Sequence, residues 1–273
     1  MALLAIDTST EYLSIALDLG PARPQIVFES HERVGQGHAE MALPTLQRLL
    51  RDAGLERRDL TAIAFGAGPG SFTGLRIGCG IAQGLALALD IPVVPVSAFA
   101  AIAASYAESV PVPPRAIAVA IDARMRELYW CVLEWDESAI EGGWREIAEA
   151  VVTAPDDVPL WPNTLPNALP HALSNSLPNS LPNELPSEGW VGCGSGFAVY
   201  REALLARLGA RVRAVAPDVQ PRARAMLGIA RVALRQGRGI DPALAAPTYL
   251  RSRVALTRAE RERGVKLAAG SVV

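Results

Sequence analysis

Residues 66–89 read GAGPGSFTGLRIGCGIAQGLALAL, a glycine-rich turn running directly into a helix with almost no chemical equipment. Backbone N–H groups at a helix start attract anions, so such a turn can cradle a phosphate. Gly66, Gly68 and Gly70 permit a tight turn, and Ser71 or Thr73 offers a hydroxyl to cap the helix. A Walker-type loop needs a lysine after its last glycine, then Ser or Thr. Here Gly74 is followed by Leu75 and Arg76, and Lys266 is the only lysine in the chain. A GxGxxG reading also fails, because Thr73 stands where the last glycine would be. As a nucleotide motif the run is weak.

The helix is more informative. Gly74, Gly78 and Ala82 recur every four residues, and so do Gly80, Gly84 and Ala88. Each interior glycine costs a helix about 1 kcal/mol relative to alanine. Two such ridges make sense where other backbones approach closely. Small-xxx-small is also a membrane packing pattern. Arg76, Gln83 and Asp90 interrupt the apolar stretch, which reads as too short and too polar to span. The expectation is a helix that packs on a sheet with one face and on a partner with the other; an ordinary core helix is the plainer alternative.

The surrounding chain supplies strands and helices in a definite order. Residues 2–6, 13–19 and 25–30 read as three short strands in an antiparallel meander, the first ending in Asp7-Thr8-Ser9-Thr10. An amphipathic helix over 37–53 follows, with Met41, Leu43, Leu46, Leu49 and Leu50 at helical spacing. Then come a strand at 61–65, the glycine turn and its helix, a strand at 92–96 and a helix at 97–106. The order β-β-β-α-β-α-β-α is that of a ribonuclease-H-like half. A second unit begins alike: AVAIDARMRELYWCVL at 118–133 parallels LLAIDTSTEYLSIAL at 3–17, strand, Asp, turn, strand. The expected fold is therefore α/β of the actin-like ATPase (ASKHA) type, with halves at 1–107 and 108–250 and a tail at 251–273. In working proteins of that architecture the two aspartate turns grip phosphates and Mg²⁺. Asp7, Thr8 and Ser9 are candidates for the first grip, and Gly194 in the later turn WVGCGSG for backbone contact with a nucleoside. Asp122 is followed by Ala-Arg-Met rather than Gly-Gly-Thr, a degraded second grip. Simple turn and capping chemistry is the favoured account of both aspartates. Residues 162–186, with Leu-Pro-Asn at 165, 177 and 181, form a low-complexity insertion expected to be exposed and unfolded.

Composition narrows the function classes. The 273 residues carry a net charge of −2, which excludes a general polyanion binder. Charge is uneven, however: residues 211–266 hold 13 Arg and Lys against 4 Asp and Glu. That basic stretch is either a solvated face or an RNA contact. Cys79, Cys131 and Cys193 are widely spaced in apolar settings, so neither a disulfide framework nor a CxxC site is expected, and a reducing cytoplasmic setting fits. His31, His38 and His171 cannot form a spaced metal-ligand set. There is no HExxH and no GxSxG elbow, so a zinc-protease or serine-hydrolase reading fails on the residues themselves.

Several stretches together are similar to one family. AIDTSTEYLSIAL at 5–17, GHAEMALPTL at 37–46, GAGPGSFTGLRIGCGIAQGLA at 66–86, IDARMRELYW at 121–130, WVGCGSG at 190–196 and PTYLR at 247–251 resemble the TsaB (YeaZ) family of the bacterial tRNA threonylcarbamoyladenosine machinery. The resemblance spans the chain except the insertion. It implies an actin-like fold shared with a catalytic paralogue, TsaD, whose HxxxH metal site falls approximately where this chain has Ala98 and Ile102. It implies a non-catalytic partner, without cofactor or metal, in a complex that modifies the adenosine 3′ of the anticodon in tRNAs reading ANN codons. TsaE, an ATPase, would join that complex, and TsaC would supply threonylcarbamoyl-adenylate. The helix pair 37–53 and 71–90 would form a four-helix bundle with TsaD, or with a second copy as a homodimer. Met41, Leu43, Leu46, Ile77, Ile81 and Leu85 are the interface candidates. The competing class is an ASKHA-type ATPase or small-molecule kinase built on Asp7 and the glycine turns; a direct RNA-binding module is the third.

Overall fold

Five apolar residues and a terminal aspartate, Ala2–Asp7, form β1, every one buried. β2 (Tyr12–Asp18) pairs antiparallel with it, and β3 (Val27–Arg33) antiparallel with β2. The computed structural model describes residues 2–20, 27–136, 143–160 and 189–251. The insertion at 162–186, His171 and the tail beyond 251 lie outside the described residues, as does the last part of the basic 211–266 stretch. After α1 (His38–Ala53), β4 (Leu60–Gly68) runs parallel to β1. α2 (Phe72–Leu89) returns the chain to β5 (Val93–Ser97), parallel to β4. The first sheet thus has the order β3-β2-β1-β4-β5.

The chain then repeats itself. α3 (Ala98–Ser109) leads to β6 (Ala116–Asp122) and its antiparallel neighbour β7 (Leu128–Trp135). Two short strands, β8 (Trp144–Glu146) and β9 (Val151–Thr153), both pair with β7. β10 (Trp190–Cys193) lies parallel to β6. After α4 (Ser195–Val199) and α5 (Arg201–Leu208), β11 (Val212–Ala216) completes the order β11-β10-β6-β7-β8. Read outward from β6, this is the topology of the first sheet, and Asp7 and Asp122 end equivalent strands.

Three apolar layers hold the halves. The outer face of the first sheet is covered by α1 and α2, with Leu4, Ile6, Leu13, Ile15, Ile63 and Phe65 meeting Leu46, Leu49, Leu50, Cys79 and Ala82. The outer face of the second carries Trp130, Trp190 and Phe197 against α5's Leu204 and Leu208. Between the inner faces lie α3 and α6 (Ala223–Arg235), and they are exchanged. α3 belongs in sequence to the first half yet packs chiefly on strands of the second sheet, while α6 packs on β1, β2 and β5 of the first. The Ala223 amide donates to Ser14 Oγ (2.9 Å), the Arg222 amide to Ser105 Oγ (3.1 Å), and Arg231 pairs with buried Asp18 (3.1 Å).

Two helices differ in detail from the sequence reading. α1 buries His38, Ala42, Thr45, Leu46, Leu49 and Leu50, whereas Met41 and Leu43 point outward. The stripe is rotated because small Ala42 and Thr45 fit closely against the sheet while the longer side chains flank it. In α2 the two small-residue ridges part company. Gly74 and Gly78 face inward, where a Cβ would strike the Thr8 carbonyl and hydroxyl respectively. At Gly80 and Gly84 a Cβ would meet open space. The helix is capped by Ser71, whose Oγ accepts from the Gly74 amide at 3.2 Å. It is long and apolar enough, by length and composition alone, to cross a membrane. Its buried residues, Leu75, Cys79, Ala82 and Ala86 among them, are committed to the chain's own sheet.

The division between ridges has opposite consequences for the same substitution. Gly74→Ala places a methyl against a backbone carbonyl and destabilises the fold by about 1–3 kcal/mol. Gly84→Ala meets nothing and stabilises it by roughly 0.5–1 kcal/mol through helix propensity. Urea midpoints of the two variants should move in opposite directions; movement in the same direction refutes the assignment of faces.

Candidate functional site

The turn after β1 is built into the glycine run rather than into an open cleft. Ser9 donates both its amide (3.0 Å) and its hydroxyl (2.8 Å) to Asp7 Oδ1. Thr8 Oγ1 donates to the Gly74 carbonyl (2.7 Å), and the Ser71 amide donates to the Ser9 carbonyl (2.7 Å). A Cβ at Gly70 would lie 2.6 Å from that Ser9 carbonyl, and one at Gly66 would collide with Asp7 Oδ2. The glycines are therefore needed because a second backbone passes against them. Asp7, Thr8 and Ser9 are no more than 3% exposed. The residues expected to contact a nucleotide are thus enclosed by the chain's own glycine turn.

Asp7 bears the cost. Its Oδ2 is buried with no hydrogen-bond partner, and burial pushes its carboxyl up from 3.8 to about 6, against the opposing pull of the Ser9 amide and hydroxyl. Asp122, its counterpart, is better served. Its Oδ1 accepts from the Arg124 amide (2.9 Å) and Tyr200 hydroxyl (3.3 Å), and its Oδ2 faces Arg124 at 3.1 Å. Gly194 sits at φ +95°, where a Cβ would lie 2.6 Å from the Ala120 carbonyl; it serves the packing of the turn on β6.

Ala98 and Ile102 are buried in the central apolar layer. No group of three or more His, Cys, Asp or Glu is placed to hold a metal ion among the described residues. All three cysteines are buried and free, and burial pushes the Cys193 thiol up to about 12, far from a nucleophile's range.

What the chain does present is the outer face of α1 and α2. Phe72, Arg76, Gly80, Gly84 and Leu87 form one exposed stripe, with Ile77 half-buried beside it. Phe72 is 47% and Leu87 54% exposed, and Met41 and Leu43 on α1 are comparably open. Of the six residues expected to meet a partner, Met41 and Leu43 are available and Ile77 lies at the edge. Ile81 and Leu85 are half-buried against the chain's own core. Leu46, at 2% exposure, is a core residue and is withdrawn from the set. Phe72 and Leu87 were missed, although their spacing with Gly80 and Gly84 marks them on one helical stripe.

With this geometry in hand, comparison with known proteins is informative. The family model described as TsaD: tRNA N6-adenosine threonylcarbamoyltransferase matches residues 29–260. The tRNA threonylcarbamoyladenosine biosynthesis protein TsaB of Haemophilus influenzae is 39% identical over 160 residues, 57% of this chain and 65% of that protein. Its Escherichia coli namesake is 40% identical over 153 residues, 56% of this chain and 62% of that protein. The chain thus spans somewhat less than two thirds of the length of these curated relatives. YeaZ from Pseudomonas aeruginosa superimposes with a TM-score of 0.72 at 32% identity, covering 91% of this chain and 99% of that one. The chain belongs to the TsaB/YeaZ family. A second solved structure, described as having similarity to peptidase YEAZ from the same organism, gives a TM-score of 0.73 at 33% identity over 92% of this chain and 99% of that one. The fold is accordingly of the actin-like ATPase type, as the duplicated strand order indicates.

The enclosure of Asp7 makes stability depend on pH with a definite sign. The folded chain holds this proton more tightly than the unfolded one. The favourable contribution is therefore complete below about pH 4 and lost as pH rises through about 6. Above that, the buried charge costs about 3 kcal/mol. Asp7→Asn should raise the urea midpoint markedly at pH 8 and little at pH 4. An equal change at both values would show that Asp7 does not titrate in this window.

Proposed function

We propose that the chain is a non-catalytic scaffold that docks through the outer face of α1 and α2 onto the catalytic paralogue TsaD. The complex acts in the cytoplasm, in threonylcarbamoylation of the adenosine 3′ of the anticodon in tRNAs reading ANN codons. The observation that carries this reading is the open ridge of Gly80 and Gly84, where an added Cβ would touch nothing in the chain itself. A helix that tolerates the cost of these two glycines while flanking them with exposed Phe72 and Leu87 is shaped for close backbone approach by a second helix pair. The same face suits a second copy when TsaD is absent, and TsaE would join the assembled pair. Supporting a non-catalytic role, the Asp7 carboxylate is walled in by Gly66 and the Thr8–Ser9 turn, so the ATPase alternative lacks an accessible acidic group on β1.

Gly84→Arg tests the reading directly. The long cation projects into open space in the isolated chain, so its melting temperature stays within a few degrees of the parent. At a close helix-helix contact it would be buried unpaired. Co-purification with tagged TsaD should fall at least tenfold, and the reconstituted tRNA modification rate with it. Undiminished capture of TsaD by a folded Gly84→Arg chain would remove α2 from the interface.

A further inference from the structure

The segment from Gly239 to Arg251 leaves α6 and runs back across the first half before ending on the second. Ile240 pairs with Val93 at the start of β5, through both backbone hydrogen bonds (3.0 and 2.9 Å). Gln83 of α2 donates to the Pro242 carbonyl (3.0 Å). The Thr248 amide donates to the Ala67 carbonyl at the end of β4 (2.7 Å). A Cβ on Gly68, at φ +115°, would lie 2.8 Å from the Thr248 carbonyl, so the second glycine of the run is small because this segment passes over it. Tyr249 then packs on Phe72 (5.5 Å between ring centroids), and its hydroxyl accepts from Arg76 Nε (3.0 Å).

Three residues beyond Thr248, Arg251 reaches the other half. It donates to the Ala123 carbonyl (2.9 Å) and forms an ion pair with Glu127, both side chains being about nine-tenths buried. Its target is the β6–β7 turn, in which Arg124, Met125 and Arg126 all have positive φ, at 61°, 56° and 62°. Left-handed backbone at three successive side-chain-bearing residues is strained, and Arg251 braces both ends of it through Ala123 and Glu127. The turn at the end of β4 and the turn after Asp122 are thus joined through this one short segment.

We infer that Thr248–Arg251 is an internal latch. It ties the glycine turn of the first half to the Asp122 turn of the second and locks the halves in a closed arrangement. This does not depend on the partner assignment for α1 and α2, since every contact is internal.

The test compares amide hydrogen exchange in the full chain and in the double variant Glu127→Gln/Arg251→Gln, which removes both buried charges together and leaves neither unpaired. Arg251→Ala serves as a second variant, and circular dichroism verifies that each is folded. Peptides covering 66–72, 122–128 and 245–251 should all exchange at least tenfold faster in the variants, while α1 is unchanged. Acceleration confined to 122–128, or none, overturns the latch, because the far end would then be held without Arg251.

Discussion

The close approach of the Thr8–Ser9 turn to the start of α2 is the contact on which the first half depends. It brings two backbones within hydrogen-bonding distance, at Ser71 N to Ser9 O and Thr8 Oγ1 to Gly74 O. Such an approach leaves no room for side chains, which accounts for Gly66, Gly70, Gly74 and Gly78 together. A pattern that in other proteins admits a phosphate here admits a piece of the same chain. Once α2 is fixed in this way, its inward ridge meets the sheet and its other ridge is turned away from it. The exposed ridge and the closed turn are two sides of one packing solution.

The enclosure has a price in electrostatics. Asp7 loses its hydration and recovers only the two hydrogen bonds from Ser9, leaving one oxygen orphaned. Asp122, in the equivalent place, keeps a guanidinium, an amide and a tyrosine hydroxyl. Two halves of the same topology have thus treated the same carboxylate differently. One buries it in a tight turn; the other spends it on holding a strained loop. Neither arrangement leaves a free acidic pair facing a common space.

Much of this was legible in the sequence. The duplicated strand-Asp-turn-strand pattern gave the two-sheet architecture, because alternation and turn chemistry are local properties. The failure of the Walker reading was legible as well, since a missing lysine is a matter of identity rather than geometry. The rotation of α1 was not, because Met41, Leu43 and Leu46 are equally apolar and only the sheet decides which of them is covered. The exchange of α3 and α6 was hidden for the same reason: amphipathicity reveals that a helix has a buried face but not which sheet it will meet. The latch was least visible of all. PTYLR has no periodicity, and the partners of Tyr249 and Arg251 lie 173 and 128 residues earlier in the chain.

The crossing of α6 onto the first sheet bears on how the chain is made. Leu3, Ala5, Ala16, Ala62, Ala64, Val94 and Val96 form an apolar surface whose cover is a helix ending at Arg235. During vectorial synthesis the first half emerges before α6, and only α3 is then available to cover part of this surface. Its contacts are of long sequence separation, which slows folding and prolongs the exposure of sticky surface. Full cover of the first half's inner face therefore waits on a helix near the far end of the described chain.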